Sequence, residues 1–422
     1  MNTPINLSKK KFAVYGLGTT GKSAVNYLNK LKFKNYIVWD DNRDIQNSWN
    51  LNKKKEKIFF KSINTVDYIL ISPGINIEKT KVKKTLFKNK HKFITDLDLF
   101  YMVNPNIKSI VVTGTNGKST TCKIIQHLLN KNNISTQLGG NIGNPVLSLN
   151  LKKKPTVIIE ASSFQLSYSK FVKPHCALLL NITRDHLDWH GNMKNYIISK
   201  LKIFALQNCD QYALLNKKFK NIFKKRNFLA KLIIPETKNY KQKKTHIQNP
   251  YAKLDINDEN ISFVFALSKL LRIKESSFFK SLDSFKGLPH RYEIFLKRKN
   301  CLFINDSKAT SFQASKFALK NSKNIYWIVG GLPKKNDKFN FKNLKPNIVK
   351  SYIIGKHLNF FKKQIHQKIS YNLTKNLKSS LIKIFKDIKF FKRKSNTILL
   401  SPASASFDQF SNFEKRGDEF KK

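Results

Sequence analysis

The chain has 422 residues, of which 41% are hydrophobic. This length suits two or three domains, and the apolar share excludes wholesale disorder. No apolar run approaches the roughly 20 residues of a membrane-spanning helix, and none follows the first lysines as in a signal peptide. Four cysteines lie far apart without a CxxC pair, which is typical of reduced thiols. We therefore expect a cytoplasmic protein without membrane insertion.

The formal net charge is +54, from 80 Lys and Arg against 26 Asp and Glu. Clustered cations indicate nucleic-acid binding, which makes a basic nucleic-acid-binding ATPase one hypothesis. The excess is mostly Lys, however, and it runs through nearly every segment together with Asn, Ile and Phe, all of which have A/T-rich codons. We interpret the charge as a genome-composition effect and expect no specific nucleic-acid partner. It should still favour anionic ligands, nucleotides among them.

The first segment has the pattern of a nucleotide-binding β-turn-α-β unit. A strand is predicted at 11–15, then the glycine-rich turn Gly16-Leu-Gly-Thr-Thr-Gly21, a helix at 22–31 and a strand at 36–39. Glycines stand where the backbone must approach a phosphate closely. The motif alone is weak, because any α/β domain with a glycine-rich turn shows it. A strand at 67–71 adds a second loop to the same predicted sheet edge.

The strongest signal opens the second unit. A strand at 109–113 runs into Gly114-Thr-Asn-Gly-Lys118-Ser-Thr120, and a helix is predicted at 122–130. Such a turn points backbone N–H groups at a phosphate. Lys118 would reach the β- and γ-phosphates, and the Ser119 hydroxyl would bind Mg²⁺. The spacing departs from the usual P-loop, since Val112 takes the place of its first glycine.

Acidic and imidazole side chains follow the next two predicted strands. Glu160 ends the strand at 156–160 and is well placed as a magnesium ligand, although a solvated strand end is the plain alternative. After the strand at 176–181, two aspartates and two histidines within 185–190 suggest metal binding or acid–base chemistry. Lys200 lies on a predicted helix at 195–206, and its spacing alone predicts a surface lysine.

A third unit starts near Gly287 and contributes further strand-end loops. Strands are predicted at 301–305, 325–329, 351–354 and 397–400. Loops after three of them offer hydroxyls, glycines and lysines suited to anions, which suggests a large anionic substrate together with ATP. The alternation of strands and helices predicts an α/β fold with mainly parallel sheets. The region 217–249 is Lys-rich, and its strands cannot be placed.

The motif Gly114–Thr120 resembles that of the Mur ligases, and the resemblance covers nearly the whole chain. Three elements are similar to the D-glutamate-adding branch: the Gly16–Gly21 turn, Asp306-Ser-Lys-Ala-Thr310, and the segment from Leu400 to Gly417. The resemblance implies three α/β domains. We expect a Rossmann-like UDP-substrate domain at 1–96, a central P-loop-type ATPase domain at 97–287, and a Rossmann-like domain at 288–422.

The resemblance also assigns roles to matching residues. It implies that the UDP-linked substrate is bound by Thr19, Thr20, Asp40, Asp41, Ser72, Pro73, Gly74, Asn141 and Ser162. It implies that ATP is bound by Gly114, Thr115, Asn116, Gly117, Lys118, Ser119, Thr120, Asn260, His290, Arg291 and Asp306. It implies that D-glutamate is bound by Lys308, Thr310, Lys334, Ser406 and Phe413. Lys118, His186 and Lys200 would be catalytic.

The expected cofactors are ATP and Mg²⁺, with two ions held by Ser119, Glu160 and Lys200. The resemblance implies that Lys200 is carbamylated, which fits because an ammonium cannot bind Mg²⁺ whereas a carbamate supplies oxygens. The implied reaction joins D-glutamate to UDP-N-acetylmuramoyl-L-alanine through an acyl phosphate, in peptidoglycan precursor synthesis. A folylpolyglutamate-type ligase is the nearest alternative. We expect a monomer.

Overall fold

The computed structural model describes residues 7–334, 337–341 and 343–422. It contains one four-stranded and two six-stranded sheets. Two compact units divide the chain, Met1–Phe285 and Lys286–Lys422. The first unit holds two of the sheets and the second unit holds the third, which confirms the predicted α/β class with a three-domain layout. The predicted domain limits at 96 and 287 stay predictions.

The first sheet has the order β2-β1-β3-β4, with all pairs parallel. Its strands β1 to β4 are Phe12–Tyr15, Tyr36–Trp39, Tyr68–Ile71 and Phe93–Ile94. The helices α1 to α5 are Thr19–Lys30, Arg43–Ser48, Lys53–Ser62, Lys83–Lys88 and Asp96–Val103. Every residue of β1 is buried, as expected for a central parallel strand covered on both faces.

Helix α1 begins at Thr19, earlier than the predicted start at residue 22. Gly21 therefore lies inside the helix, where a Cβ would come within 1.8 Å of the Gly16 carbonyl oxygen. The residue allows the helix to pack tightly on the turn, which is the role of the last glycine in this kind of motif.

The second sheet has the order β10-β9-β8-β5-β7-β6 and is parallel throughout. Its strands β5 to β10 are Ser109–Thr113, Thr136–Gly140, Thr156–Glu160, Cys176–Leu179, Tyr212–Leu215 and Lys231–Ile233. The helices α6 to α14 are Lys118–Lys131, Ser163–Tyr168, Leu187–His190, Met193–Leu201, Lys220–Lys225, Thr237–Lys241, Pro250–Lys253, Asp258–Leu270 and Glu275–Asp283. The Lys-rich region in which no strand could be placed thus contains β10.

Residues of this sheet contribute to two apolar cores. Val111 and Ala177 belong to the cluster that also includes Phe12 and Leu70 of the first sheet. Residues on the opposite face of the second sheet, such as Val112, belong to a separate cluster with the buried residues of α6 and α13. The two sheets of the first unit therefore share a continuous core.

The third sheet has the order β11-β12-β16-β13-β14-β15. Its strands β11 to β16 are Glu293–Arg298, Cys301–Asn305, Ile325–Gly330, Ile348–Ile354, Tyr371–Lys375 and Asn396–Leu400. The helices α15 to α18 are Phe312–Asn321, Leu358–Ile365, Leu377–Phe391 and Phe413–Lys421. Strand β11 is antiparallel to β12, and the others pair in parallel. In the described part of the chain, no helix is long and apolar enough to cross a membrane.

Candidate active site

The loop between β5 and α6 is shaped by Gly117, which precedes the first residue of the helix. Its φ of +82° is left-handed, and a Cβ there would lie 2.1 Å from the Asn260 side-chain oxygen. Helix α6 begins at Lys118, so Lys118 and Ser119 occupy its first turn, which contains no acidic residue. An N-terminus of this kind attracts a phosphate. The same packing places Asn260, predicted to bind ATP, against the loop.

The loop is held by the segment that follows β8. Thr115 N donates to the Asn181 carbonyl oxygen over 2.8 Å, and Asn116 N donates to the Asn181 side-chain oxygen over 2.9 Å. The Thr115 hydroxyl lies 3.0 Å from the Tyr196 hydroxyl. These bonds fix the loop before any ligand binds, which limits the reorganisation that binding requires.

Two lysine amines meet at the start of this loop. Lys118 Nζ donates to the carbonyl oxygens of Gly114 and Thr115, over 2.9 Å each. Lys200 Nζ donates to the same Gly114 oxygen over 2.8 Å. Lys200 is 1% exposed, so the interpretation as a surface lysine was wrong. Burial, followed by the charge of Lys118, holds the pKa of Lys200 well below its usual range, which favours the neutral amine.

A buried carboxylate belongs to the same group of residues. Glu160, at the end of β7, is 2% exposed, and its Oε1 accepts from Asn141 Nδ2 over 2.8 Å. Its Oε2 is buried and has no hydrogen-bond partner among the described residues. Glu160 contributes to the electrostatic field at Lys200. An unpaired buried carboxylate oxygen is costly unless a cation binds it, so this arrangement fits a metal ion.

The two histidines after β8 have different surroundings. His186 has a left-handed φ of +53°, is exposed, and its ring lies edge-on to that of Phe164, with the ring centres 4.8 Å apart. His190 is buried with Nε2 3.0 Å from the Ser163 hydroxyl, and burial lowers its pKa to about 4. His190 is therefore a neutral packing residue. Among the described residues, no group of three or more His, Cys, Asp or Glu side chains is arranged to hold a metal ion.

In the first sheet, Asp40 and Ser72 hold the glycine-rich turn. Asp40 is buried, and its Oδ2 accepts from Leu17 N over 2.6 Å. The Ser72 hydroxyl donates to the Gly16 carbonyl oxygen over 2.8 Å. Both predicted substrate residues thus lie at the turn, where they set its shape from the ends of β2 and β3.

Other predicted substrate residues face outward at the same edge. Thr19 is exposed and Thr20 half-buried in the first turn of α1, which has no side-chain cap and no acidic residue. Asp41 is exposed and accepts from the Tyr15 hydroxyl and the Trp39 indole N–H over 2.5 and 2.9 Å. Gly74, after Pro73, has open space where a Cβ would point. The edge combines an open helix N-terminus with an ordered carboxylate.

Ser162, also predicted to contact the substrate, caps α7. Its hydroxyl accepts from Gln165 N over 3.2 Å in a capping box. The Gln165 side chain in turn donates to both carboxylate oxygens of Asp96, over 3.2 Å each. Burial raises the pKa of Asp96 to about 6. Asp96 and Gln165 were not predicted, because residues so distant in sequence give no pairing signal.

In the second unit, Lys308 and Phe413 are in direct contact. Lys308 Nζ lies 3.7 Å from the centre of the Phe413 ring, and the Ser307 hydroxyl donates to the Phe413 carbonyl oxygen over 2.8 Å. A cation over an aromatic face is stabilised by the ring quadrupole. The structure thus joins two of the residues predicted to bind D-glutamate.

Arg416 connects the loops that carry these residues. It is 1% exposed, and its guanidinium donates to Ser307 Oγ, to Ser307 O and to Ser404 O over 3.0, 2.8 and 3.0 Å. Ser406 is buried two residues beyond Ser404. The sequence motif contained Arg416, but the pattern assigned it no role.

Two further predicted residues lie on neighbouring loops. Leu332 and Ala405 exchange backbone hydrogen bonds of 2.9 and 3.0 Å, which ties the loop after β13 to the loop after β16. Lys334 is exposed just beyond Leu332, and Thr310 is half-buried before α15. The loops that carry Lys308, Thr310, Lys334, Ser406 and Phe413 therefore all belong to the carboxyl edge of one sheet.

His290 and Asp306 flank the first two strands of this sheet: His290 precedes β11, and Asp306 directly follows β12. His290 Nδ1 is 3.0 Å from the Asn305 side-chain amide, and burial lowers the pKa of the imidazole. Asp306 accepts from the Ser401 hydroxyl over 2.7 Å and from Tyr292 N over 3.1 Å. Burial raises the pKa of Asp306 to about 7, and the charge of Arg291 opposes that rise. The structure places these three predicted ATP residues together in the second unit.

Two family models match the sequence. The Mur ligase MurD-like N-terminal domain matches residues 10–92, and the Mur ligase middle domain matches residues 112–277. A protein of Rickettsia felis named UDP-N-acetylmuramoylalanine–D-glutamate ligase is 34% identical over 98% of this chain and 97% of its own length. Proteins of the same name from the Wolbachia of Brugia malayi and from Agrobacterium fabrum are 34% and 31% identical, over 99% and 97% of this chain and 97% and 94% of their own lengths.

Solved structures share the fold at low sequence identity. The MurF ligase of Thermotoga maritima in complex with ADP has a TM-score of 0.55 at 15% identity, with 98% of each chain covered. The UDP-N-acetylmuramate–alanine ligase MurC of Thermotoga maritima has a TM-score of 0.53 at 14% identity, with 97% of this chain and 98% of the other covered. A bifunctional folylpolyglutamate synthase/dihydrofolate synthase of Yersinia pestis has a TM-score of 0.54 at 12% identity, with 77% of this chain and 92% of the other covered.

Proposed function

This chain belongs to the Mur ligases, in the family of the UDP-N-acetylmuramoylalanine–D-glutamate ligases, and we propose that it uses ATP to join D-glutamate to UDP-N-acetylmuramoyl-L-alanine. The observation that carries the proposal is the meeting of Lys118 and Lys200 at the Gly114 carbonyl oxygen, beside the buried Glu160. Those residues can bind and polarise a transferring phosphoryl group.

In the first step, a carboxylate oxygen of the L-alanyl group attacks the γ-phosphorus of ATP. The bond to the β-γ bridging oxygen breaks, which gives an acyl phosphate and ADP. Charge on the transferring group needs preorganised donors, which the first turn of α6 and the Lys118 ammonium supply. Gly117 is required because its backbone lets the loop close on Asn260. In this proposal Asn260 lies on the nucleotide side of the loop.

In the second step, the D-glutamate amine attacks the acyl carbonyl carbon. The tetrahedral species then expels inorganic phosphate, the amine loses a proton, and an amide forms. We assign His186 to the acyl phosphate, since it is exposed and lies three residues beyond Thr183, whose N–H donates to the Thr115 hydroxyl of the phosphate loop over 3.0 Å. We assign the D-glutamate carboxylates to the loops of Lys308, Thr310, Lys334, Ser406 and Phe413, where the Lys308 ammonium supplies positive charge.

The residues present fit magnesium. Glu160 Oε2 is buried without a hydrogen-bond partner among the described residues, and Ser119 is buried in the first turn of α6. Burial lowers the pKa of Lys200 and so favours its neutral amine, which can add CO₂ with loss of a proton; the carbamate that forms has oxygens that suit a hard cation. Two bound ions would neutralise charge on the γ-phosphate. We propose that Lys200 is carbamylated and that two magnesium ions bind at this site.

The UDP moiety is assigned to the edge of the first sheet. The turn held by Asp40 and Ser72 and the open N-terminus of α1 offer backbone N–H groups to a diphosphate. Asn141, bonded to Glu160, would lie on the route of the substrate to the phosphate loop. We propose a monomer, and the four free thiols support a cytoplasmic location.

Release of phosphate by the purified protein tests the proposal. With ATP, Mg²⁺ and UDP-N-acetylmuramoyl-L-alanine, we expect turnover that starts only when D-glutamate is added. L-glutamate and other amino acids serve as matched controls for the amino-acid site. Turnover with a folate and L-glutamate would instead favour the folylpolyglutamate-type alternative. ATP hydrolysis stimulated only by nucleic acid would contradict a ligase function.

A further inference from the structure

Helix α17 presents an exposed face that combines large apolar side chains with cations. Leu377, Ser380 and Ile384 of this helix are buried against the third sheet. Around the rest of the helix and at its C-terminal end, Ile382, Phe385, Phe390 and Phe391 are exposed, and Phe390 is 79% exposed. The centres of the Phe390 and Phe391 rings lie 5.3 Å apart, so the helix ends in an exposed aromatic pair. We name the exposed residues of 378–394 the α17 surface.

The clustering exceeds what the composition of the chain explains. Thirteen large hydrophobic residues are exposed among those described, and four of them lie on α17. The chain has 33 phenylalanines, of which five are exposed and three of these are on this helix. The A/T-rich codon bias accounts for the number of phenylalanines but not for the exposure of three of them on one helix. Exposed large apolar side chains gathered on one element indicate an interaction site.

The charges on the same surface are positive. Seven cations are exposed between residues 377 and 394: Lys378, Lys383, Lys386, Lys389, Lys392, Arg393 and Lys394. The single acidic residue of this stretch, Asp387, accepts from the Tyr352 hydroxyl and forms an ion pair of 2.9 Å with Lys350. Its charge is therefore neutralised within the unit, and the surface offers cations to a partner.

We propose that the α17 surface docks on an anionic lipid bilayer, as a peripheral contact without insertion. A helix with lysines beside Phe and Ile suits the boundary between headgroups and acyl chains. Its cations match the negative charge of acidic headgroups, and aromatic rings at the helix end enter the boundary layer. Nucleic acid would match the cations and could stack bases on the Phe rings, but it leaves the aliphatic Ile382 without a partner, whereas acyl chains match the aliphatic and the aromatic side chains alike. The inference does not depend on the proposed function.

Co-sedimentation of the full-length protein with vesicles tests this docking. We expect binding to phosphatidylcholine vesicles that contain phosphatidylglycerol, and none to phosphatidylcholine alone. Phe390→Ser with Phe391→Ser should weaken binding by at least about tenfold. Lys386→Gln with Lys389→Gln should weaken it by about tenfold and flatten its salt dependence.

Matched controls come from exposed residues elsewhere. Leu229→Ser removes a hydrophobic side chain that is 69% exposed in the first unit. Lys224→Gln with Lys225→Gln removes two exposed cations from α10. Both control proteins should bind vesicles as the parent does. Melting temperatures report folding, and the lysine pair decides the outcome if the double serine variant fails to fold.

Three results would overturn the proposal. One is absence of binding to the phosphatidylglycerol vesicles. Another is vesicle binding that the α17 variants leave unchanged. The third is retention of RNA or concentration-dependent self-association, lost in the α17 variants, by a protein that ignores vesicles. That last result would assign the surface to nucleic acid or to a second copy of the chain.

Discussion

Lys118 Nζ and Lys200 Nζ share one acceptor, the carbonyl oxygen of Gly114, at 2.9 and 2.8 Å. Two ammonium groups so close together would repel each other. The buried lysine of the pair, Lys200, is the one whose pKa is held well below its usual range. The two lysines therefore differ in environment, and burial shifts Lys200 towards the neutral amine. This asymmetry gives the two lysines different chemistry.

Substitution of Lys200 should remove activity. Because a carbamate on this amine would supply metal ligands, Lys200→Ala should lower the rate of phosphate release by at least about a hundredfold. Acetate or propionate should restore part of the rate by placing a carboxylate in the vacated space. Lys194→Ala, at an exposed lysine of the same helix, is the control and should keep the parent's rate without added acid. A fully active Lys200→Ala protein would contradict the assigned role.

Gly117→Ala should disrupt the phosphate loop. The left-handed φ of +82° costs a residue with a Cβ about 1–2 kcal/mol, and the Asn260 side chain, 2.1 Å away, would have to move as well. We expect a lower free energy of urea unfolding and an increase of at least about tenfold in the KM for ATP.

Gly18→Ala is the matched control for the glycine effect on stability. No heavy atom lies within 4 Å of the position that its Cβ would take, and its φ of −63° suits any residue. Its unfolding free energy should equal that of the parent. If Gly117→Ala were as stable as Gly18→Ala, the loop would not depend on the left-handed conformation.

Arg416 should act as a positioning residue for the amino-acid site. Arg416→Lys keeps a positive charge but loses the planar fork that bonds Ser307 and Ser404. We expect the KM for D-glutamate to rise about tenfold or more, with a smaller change in the KM for ATP. Arg393→Lys, at an exposed arginine of the same unit, should change neither constant. Equal increases in all substrate constants would indicate a general folding defect instead.

Asp306 should make the protein less stable as pH rises. Its pKa is raised from 3.8 to about 7 in the folded state, so between these values the folded protein binds more protons than the unfolded chain. The free energy of unfolding should therefore fall as pH rises from about 4 to about 7, and then level off. Asp96, with a pKa raised to about 6, acts in the same direction.

Urea unfolding of Asp306→Asn at several pH values measures this contribution. The free energy of unfolding of the variant should fall less steeply with pH than that of the parent, because the amide cannot ionise. Asp210→Asn replaces an exposed side chain, and its free energy of unfolding should fall with pH as that of the parent does. An unchanged decline in Asp306→Asn would show that another group carries the pH dependence.

Much of the site was predictable because polar residues end apolar strands. Glu160 ends β7, and Ser72 and Asp306 directly follow β3 and β12; each parallel sheet gathers such strand ends at its own carboxyl edge. The starts of α1 and α6 were placed too late, since glycine, serine and threonine have poor helix propensity although they suit a first turn.

Other features depend on tertiary contacts that a local pattern does not contain. Lys200 resembles any lysine on a helix, and its burial arises from β5 and α9 coming together through Gly114. Strand β11 was not predicted because it is an edge strand with mostly exposed, partly charged residues. The role of Arg416 could not be predicted from the sequence, because its hydrogen bonds to Ser307 join residues that are far apart in the chain.

The most direct test of the acyl-phosphate route follows oxygen atoms. UDP-N-acetylmuramoyl-L-alanine labelled with oxygen-18 in its L-alanyl carboxylate is incubated with the protein, ATP, Mg²⁺ and D-glutamate, and the released phosphate is analysed by mass spectrometry. Our account predicts that each phosphate carries one labelled oxygen, because that oxygen attacks the γ-phosphorus and leaves with it. Phosphate free of label, formed along with the amide product, would contradict it.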